Sequence, residues 1–306
     1  MTRTRHPGVA GSFAAVTRIA VVGPGGVGTF FAAHLAAAGR DVVACARRPF
    51  AEYVVESATA PVRAPASVIT DPAAVDGPAD WVLVAVKAHQ TAGVAPWLER
   101  LCGPDTTVVA VQNGVEGEAR LRPFSRGAPV LAAVVYCGAE LVAPGHTRHA
   151  SAGYLILPEG APSERLAALF AGSGAEVRPS RHHTDEAWRK LGINVVVNGT
   201  TALTGRPISV VGRPDVRAVA HGLLEECWAV GRAEGATLGP EVIGPQLDGL
   251  AAAPGITSML QDRRAGRPTE HDALYGAVIR LGARHGIATP RHEMFAALLA
   301  AGDPGD

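Results

Sequence analysis

A glycine-rich turn near the start of this 306-residue chain is the feature that most constrains its fold. The turn has the sequence GPGGVG over residues 23–28, and it lies between a short apolar run, residues 18–22, and an alanine-rich stretch, residues 29–38. A second apolar run follows at residues 41–46. Strand, glycine turn, helix and strand in this order predict one βαβ unit, and the G-x-G-x-x-G spacing in that context indicates a dinucleotide-binding fold.

Each glycine of the turn has its own task in such a fold. Gly23 makes the tight turn, Gly25 lets the backbone approach a pyrophosphate, and Gly28 lets the helix pack closely on the strand. The N-terminus of the helix adds N–H donors and the positive end of its dipole. A purely structural turn is the alternative. We expect the phosphate site to be formed by Gly23, Pro24, Gly25, Gly26, Val27 and Gly28.

The end of the second predicted strand indicates which dinucleotide is bound. Proteins that bind NAD usually place an acidic residue there to hydrogen-bond the ribose hydroxyls. This chain instead has Arg47 and Arg48 after the strand, and no acidic residue between positions 42 and 48. Because arginine pairs well with a 2′-phosphate, NADPH/NADP+ is predicted rather than NAD. The alternative is that both arginines are solvated surface residues.

The rest of the chain divides into a strand-rich first half and a helical second half. Residues 81–86 and 106–111 are continuous apolar runs, as expected for buried parallel strands, and helical residues 91–101 lie between them. The β-rich pieces at residues 130–157 are interpreted as a mixed extension of the same sheet. After His182 the pattern predicts helices over residues 186–198, 216–234, 271–285 and 292–301.

These elements predict an α/β protein with an N-terminal Rossmann-type dinucleotide-binding domain followed by an all-α C-terminal domain. The NADP-binding domain is expected to span residues 18–183, and a helical domain with the substrate and catalytic groups is expected to span residues 184–306. Residues 1–17 are expected to form a loose N-terminal extension.

Composition excludes several classes of protein. Apolar residues make up 47% and charged residues 18% of the chain, so it is not a disordered protein. The net charge is 0, so no nucleic acid or anionic membrane partner is expected, and no apolar run reaches the roughly 18 residues of a membrane span. Four scattered cysteines without metal-site spacing predict free thiols, no metal and a cytoplasmic location. A homodimer is possible.

Lysine and asparagine are rare, with two and three copies respectively, whereas 26 of the 28 basic residues are arginines. Unlike arginine, lysine can change its protonation state at working pH, so a retained lysine points to chemistry. Lys87 and Asn113 directly follow two of the predicted strands, where the ligand crevice of a doubly wound sheet lies. The alternatives are a surface lysine and an ordinary Asn-Gly turn.

The other three rare residues, Lys190, Asn194 and Asn198, are spaced four apart and therefore share one face of a predicted helix. Their neighbours are apolar, so this face is expected to be buried. Buried polar groups destabilise a fold unless they have partners, and a substrate would supply such partners. A purely structural polar network is the alternative.

A polar segment over residues 258–270 is predicted as loop-like, leading into the helix that starts at His271. Glu270 lies in the first turn of that helix, where a carboxylate interacts favourably with the helix dipole. Its role as a simple helix-start acid and its role as a site residue are left open by the sequence.

Together these motifs resemble the ketopantoate reductase (2-dehydropantoate 2-reductase) family, from about residue 18 to the end of the chain. The resemblance is carried by GPGGVG, VKAHQ, VQNGVE, WRKLGINVVVN and SMLQDRRAGRPTEHD, at positions 23, 86, 111, 188 and 258 onward. It implies a Rossmann domain joined to a helical domain with the site in the cleft between them. It also implies NADPH-dependent reduction of 2-dehydropantoate, a 2-oxo acid, to pantoate in the pantothenate pathway.

The resemblance also implies a role for each matching residue. On the cofactor side, beside the glycine turn, it assigns Arg47 to the adenosine phosphate and adds Lys87, Asn113 and Glu270. On the substrate side it assigns Lys190 as general acid and adds Asn113, Asn194, Asn198 and Ser258. Glu270 would act in catalysis, either orienting Lys190 or anchoring the cofactor. Ile208 and Tyr275 depart from the asparagines found in many members.

Two alternatives stand beside this hypothesis. One is a related NADP-dependent reductase of another 2-oxo acid or of an imine. The other is a non-catalytic NADP(H)-binding sensor, against which the presence of Lys190, Asn194, Ser258 and Glu270 argues, since a sensor needs no general acid.

Overall fold

The computed structural model describes residues 17–58 and 60–304. The strands, in chain order, are β1 (Arg18–Val22), β2 (Asp41–Cys45), β3 (Glu52–Glu56), β4 (Val62–Pro65), β5 (Ser67–Ile69), β6 (Trp81–Val84), β7 (Thr107–Ala110), β8 (Val130–Ala132), β9 (Val134–Ala143), β10 (His146–Pro158) and β11 (Glu176–Ser180). The α-helices are α1 (Gly26–Ala37), α2 (Ala95–Leu101), α3 (Gly117–Leu121), α4 (Ala161–Phe170), α5 (His183–Thr204), α6 (Pro214–Ala233), α7 (Ile243–Ala252), α8 (Ser258–Arg264), α9 (Ala277–Arg284) and α10 (Pro290–Ala300). None of these helices is both long and apolar enough to cross a membrane.

Six strands form a parallel sheet in the order β5-β2-β1-β6-β7-β8. The register places Val22 beside both Cys45 and Val84. The chain order reverses between β1 and β6, so the carboxyl ends of these two strands frame the crevice in which doubly wound folds bind ligands. The predicted α/β class, with a Rossmann-type first half and a helical second half, is confirmed.

The remaining strands form a second sheet, which corrects the interpretation of residues 130–157 as one extension of the first. Only β8 joins the parallel sheet, whereas β9 and β10 pair antiparallel. The order of the second sheet is β11-β10-β3-β4, with β9 on β10. The physical reason is the β3-β4 hairpin, which the sequence analysis left unassigned. Strand β3 of this hairpin pairs with β10, with His146 opposite Val54, so β10 and the hairpin lie in one separate sheet.

Helix α1 lies between the two sheets. Its residues from Gly28 to Leu35 are all buried. Phe30 and Phe31 share one apolar cluster with Val21 of the parallel sheet and with Leu155 of the second sheet. Because both sides of the helix face a core, its sequence is apolar all round, as the alanine-rich pattern requires. The other face of the parallel sheet packs on α2 and α3.

The helical half confirms the four predicted helices, with ends shifted by a few residues, and corrects two points. Helix α7 was not predicted, and residues 258–264 form helix α8 rather than a loop. The Thr257 side chain caps α8 by accepting the N–H of Leu260, and Met259 and Leu260 are buried, so capping and packing outweigh the polar composition. Residues 272–276 form a π turn within the predicted helix.

The N-terminus of α10 is held by a buried carboxylate. Glu226 of α6 accepts the backbone N–H groups of Arg291 and His292, at 3.1 and 3.2 Å. It also accepts a hydrogen bond from His292 Nδ1 at 2.8 Å. His292 is fully buried, and burial lowers its pKa although Glu226 acts to raise it. The imidazole is therefore neutral, with its proton on Nδ1.

Candidate active site

The glycine turn lies at the carboxyl end of β1. Gly23 has φ +81°, a conformation that favours glycine, and a Cβ on Gly28 would lie 2.6 Å from the Gly23 carbonyl oxygen. A Cβ on Gly25 would meet nothing within 4 Å. The turn is therefore tight at its first glycine, packed on the strand at its third, and open at its second, where a pyrophosphate fits beside the N-terminus of α1.

Gly26, the remaining glycine of the turn, is required for a reason that the sequence did not indicate. A Cβ at this position would lie 2.3 Å from the carbonyl oxygen of Ala139 in β9. The second sheet thus packs directly on the first residue of α1, and its backbone leaves no room for a side chain.

Alanine substitutions in the turn should separate these two roles. Gly25→Ala is expected to keep the melting temperature and weaken NADPH binding, because the added methyl group occupies the open space needed by the pyrophosphate. Gly26→Ala is expected to lower stability by about 1–3 kcal/mol through overpacking against β9. Thermal unfolding and NADPH titration of both variants test this. Equal losses of stability in the two variants would contradict it.

Arg47 and Arg48 follow β2 and are exposed. Within residues 17–58 and 60–304, neither side chain forms an ion pair or hydrogen bond. Their guanidinium groups are therefore available to a ligand at the carboxyl edge of the sheet, next to the glycine turn.

An ionic cluster with two buried carboxylates joins the two halves of the molecule at the end of β6. Lys87 Nζ lies 2.8 Å from Asp262 Oδ2 and 3.2 Å from Glu270 Oε2. Glu270 also accepts the N–H of Ala88 at 3.1 Å and Asn113 Nδ2 at 3.1 Å. Lys87, Asn113 and Glu270 thus form one group, as residues of a single site must.

Electrostatics keeps this cluster ionised. Burial alone would lower the pKa of Lys87, but the carboxylates of Glu270 and Asp262 outweigh it, so the pKa lies above the usual lysine value. Burial alone would raise the pKa of Glu270, but Lys87 and the Ala88 N–H keep the pKa below the usual value. Asp262 was missed by the sequence analysis. Its position four residues after Ser258 on one helix could have indicated it.

Asn113 and Lys190 line the same small cleft between the halves. The other lining residues are Gln112, Gly114, Ala133, Val134, Val135, Ala187 and Leu191. Lys190 is mostly buried, and burial lowers its pKa. No carboxylate of the described residues pairs with it, and its ammonium instead lies over the Tyr136 ring, 4.7 Å from the centroid. Glu270 was predicted either to orient Lys190 or to anchor the cofactor, and in the structure it contacts Lys87 and not Lys190.

The remaining predicted substrate residues differ in exposure. Asn194 and Asn198 are buried, at 7% and 5% exposure, and no hydrogen bond reaches either side-chain amide within residues 17–58 and 60–304. Ser258 is exposed at the start of α8. No group of the described residues satisfies either amide, and a ligand would supply the missing hydrogen bonds, so this face of α5 supports the interpretation as a binding surface.

The two departures from the family pattern have a structural explanation. The Tyr275 side chain is fully buried, and its hydroxyl donates to the carbonyl oxygen of Val195 at 2.5 Å. Ile208 packs on the apolar cluster of the helical half. Both side chains thus belong to the core around α5.

A second ionic network joins the halves beside the cleft. Arg280 of α9 contacts Glu116 at 2.6 Å and Asp272 at 2.5 Å, and Arg120 of α3 contacts the same two carboxylates. Together with the Lys87 cluster, this network fixes the helical half on the parallel sheet at two places.

The described residues contain no group of three or more His, Cys, Asp or Glu side chains that is arranged to hold a metal ion. The four cysteines, Cys45, Cys102, Cys137 and Cys227, are free.

Comparison with known proteins matches both halves of the chain. Residues 19–162 match the family model described as ketopantoate reductase PanE/ApbA, and residues 182–303 match the model of the C-terminal part of the same family. The chain is 40% identical to the 2-dehydropantoate 2-reductase of Mycobacterium tuberculosis over 292 residues, which is 94% of this chain and 99% of that protein.

Solved structures show the same architecture. The ketopantoate reductase of Ralstonia eutropha superposes with a TM-score of 0.85 at 32% identity, covering 94% of this chain and 98% of that one. A D-mandelate dehydrogenase solved with NADH and anilino(oxo)acetate superposes with a TM-score of 0.83 at 22% identity, covering 94% of this chain and 98% of that one. The latter likeness concerns the fold alone.

Proposed function

Because the chain belongs to the ketopantoate reductase family, we propose that it uses NADPH to reduce 2-dehydropantoate to pantoate, with Lys190 as the proton donor. The observation that carries this proposal is the environment of Lys190. Lys190 is partly buried and lines the cleft between the halves together with Asn113, with no carboxylate partner among the described residues. An ammonium without a carboxylate partner suits a group that must give its proton to a substrate oxygen.

Several residues fit the cofactor. The open turn at Gly25 and the N-terminus of α1 would hold the pyrophosphate, and the unpaired Arg47 would hold the 2′-phosphate. The cluster of Lys87, Asn113 and Glu270 would lie along the nicotinamide half, at the carboxyl ends of β6 and β7. When bound, the cofactor supplies a hydride to the carbonyl carbon of the substrate.

Lys190 acts on the carbonyl oxygen. As negative charge develops on this oxygen, the ammonium stabilises the charge and gives up one proton, which forms the product hydroxyl. Burial lowers the pKa of Lys190 and thus makes it a stronger acid than an exposed lysine. The free amides of Asn194 and Asn198, with Ser258, hold the hydroxyl and carboxylate of the substrate. In this assignment Glu270 acts on the cofactor side, through Lys87.

The test is NADPH consumption, followed by absorbance, with 2-dehydropantoate and with smaller and bulkier 2-oxo acids and imines. The proposal requires the highest kcat/KM with 2-dehydropantoate. Preference for another 2-oxo acid or an imine would keep the chemistry of Lys190 and overturn the substrate. Tight NADPH binding without turnover of any of these compounds would favour the sensor.

Substitution of Arg47 tests the choice of cofactor. Arg47→Ala is expected to raise KM for NADPH by roughly 10–100-fold, the equivalent of a lost charge-assisted hydrogen bond, and to leave KM for NADH unchanged. The matched control is Arg48→Ala, one position further along the same loop, with a smaller effect. The assignment is wrong if Arg47→Ala changes both KM values equally.

The expected location and assembly belong to the same proposal. Four free cysteines fit a reducing compartment, so the cytoplasmic location stays our prediction. The homodimer and the domain bounds at residues 18–183 and 184–306 also stay predictions. The predicted extension, residues 1–17, lies outside the described residues except for Thr17.

A further inference from the structure

Lys190 ends a row of four stacked side chains that crosses the second sheet. Its ammonium lies over the Tyr136 ring, 4.7 Å from the centroid. Tyr136 of β9 stacks on Tyr154, directly opposite on β10, with centroids 4.9 Å apart and planes within 19°. The guanidinium of Arg178, from β11, lies over the Tyr154 ring, 3.6 Å from its centroid.

The first ring is the closest charge-stabilising partner that Lys190 has. The ammonium makes no ion pair or hydrogen bond within residues 17–58 and 60–304. The negative face of an aromatic ring attracts a cation within about 6 Å, and this attraction is stronger where water is excluded. A ring differs from a carboxylate in one respect that matters for an acid: it stabilises the cation without accepting its proton.

We propose that Tyr136 is a positioning residue for Lys190, holding the ammonium protonated and aimed into the cleft through the face of its ring. The effect of Tyr136 on turnover rests on the proposed function, whereas its effect on the protonation of Lys190 does not. Tyr154 packs on the Tyr136 ring, and Arg178 packs on Tyr154. The sequence pattern gave no indication of this role, because the four residues come from four separate elements.

The other titratable groups around Lys190 leave this role to Tyr136. The Cys137 thiol of β9 is neutral, because burial raises its pKa to about 12. Burial likewise raises the pKa of Tyr136 to about 12, with Glu186 and Arg189 as smaller influences. Glu186, one turn before Lys190 on α5, forms no ion pair with it among the described residues. Four carboxylates on other elements packed against α5 are paired elsewhere: Asp262 with Lys87 and Arg267, Asp272 with Arg280 and Arg120, Glu226 with His292, and Asp248 with Arg217.

The presence of only two lysines allows a direct measurement. Protein labelled with ¹³C- and ¹⁵N-lysine should show two side-chain signals, which Lys190→Arg assigns. Titration should place the pKa of Lys190 below the ordinary lysine value and that of Lys87 above it, because their environments differ. In Tyr136→Leu the pKa of Lys190 should fall further, by about one unit, the size expected for a desolvated cation–ring contact. Tyr136→Phe, which keeps the ring face, should not change it.

Fluorinated phenylalanines at position 136 provide a series that keeps the size of the ring. Substitution with 4-fluoro-, 3,5-difluoro- and 3,4,5-trifluorophenylalanine withdraws charge from the ring face step by step. The pKa of Lys190 should fall at each step, and the alkaline limb of kcat should move to lower pH in parallel. NADPH affinity and the Lys87 signal should stay constant. Because each analogue is nearly the size of phenylalanine, folding is preserved throughout.

The outcomes are distinct. The role of Tyr136 would be overturned if the pKa of Lys190 stayed constant across the fluorinated series. It would also be overturned if that pKa fell equally in Tyr136→Phe and Tyr136→Leu. Retained turnover in Lys190→Ala would overturn the proposed function, and the lysine titration would still decide whether the ring stabilises the ammonium.

Discussion

Lys190→Ala is expected to lower kcat for 2-dehydropantoate reduction by about 10²–10⁴-fold, the usual contribution of a general acid. NADPH affinity should not change, because among the described residues Lys190 forms no hydrogen bond or ion pair with the glycine turn or with the Lys87 cluster. Stability should change little, since the lost side chain is a buried cation without a carboxylate partner. Initial rates, NADPH fluorescence titration and thermal unfolding provide the three measurements.

Lys190→Arg is the matched control. It keeps the positive charge and much of the volume, yet arginine holds its proton at any working pH. The rate should therefore stay low, although charge stabilisation by the guanidinium can leave it above that of the alanine variant. A Lys190→Ala enzyme with the kcat of the wild type would remove Lys190 from the chemistry.

Glu226→Ala is expected to lower the free energy of unfolding by about 3–5 kcal/mol, because several buried N–H donors lose their acceptor at roughly 1–3 kcal/mol each. The substitution leaves the N–H groups of Arg291 and His292 and the Nδ1–H of His292 without their acceptor. It also leaves a cavity between α6 and α10. Urea unfolding followed by circular dichroism measures the loss.

The adjacent residue supplies the control. Glu225 is exposed and lies 3.5 Å from His221, so Glu225→Ala should change stability by less than about 0.5 kcal/mol. Glu226→Gln keeps the shape and one acceptor oxygen, so its loss of stability should lie between those of Glu225→Ala and Glu226→Ala. Similar stabilities for Glu225→Ala and Glu226→Ala would show that the buried carboxylate contributes nothing.

The same pair predicts how stability depends on pH. Burial alone would raise the pKa of Glu226, but His292 and the helix N–H groups lower it below the ordinary value of 4.5. The stability from this carboxylate is therefore complete above that value and is lost as pH falls through the lowered pKa. Burial of His292 acts in the same direction, because a histidine kept neutral begins to favour unfolding below its ordinary pKa of 6.5. Glu226→Ala should show a flatter acid limb.

The parallel sheet and most helices could be predicted from sequence because their signals are local. Apolar runs mark the buried strands, and periodic apolar positions mark α5, α6 and α10. The second sheet could not be predicted, because β3 and β10 are about 90 residues apart in sequence and pair only in the folded chain. Helix α8 was missed since its polar residues serve an ionic cluster and its cap is a single threonine hydroxyl.

The candidate site shows the same division. Rarity of lysine and asparagine singled out Lys87, Asn113, Lys190, Asn194 and Asn198, and the structure brings Lys87 and Asn113 together on Glu270. What sequence could not provide is the pairing of charges. Both a Lys190–Glu270 contact and a Lys87–Glu270 contact fit the same motifs, and only the packing of the two halves distinguishes them. The contact between Lys190 and Tyr136 likewise depends on tertiary structure.

The position of α1 between two sheets limits how enzymes of this kind can evolve. A mutation in this helix must suit two separate cores at once, so nearly every change is selected against before it can alter nucleotide preference. Variation that switches the preferred nucleotide is therefore expected to accumulate at the exposed residues after β2, where Arg47 and Arg48 lie. A lineage can thus change its reductant while α1 stays the same.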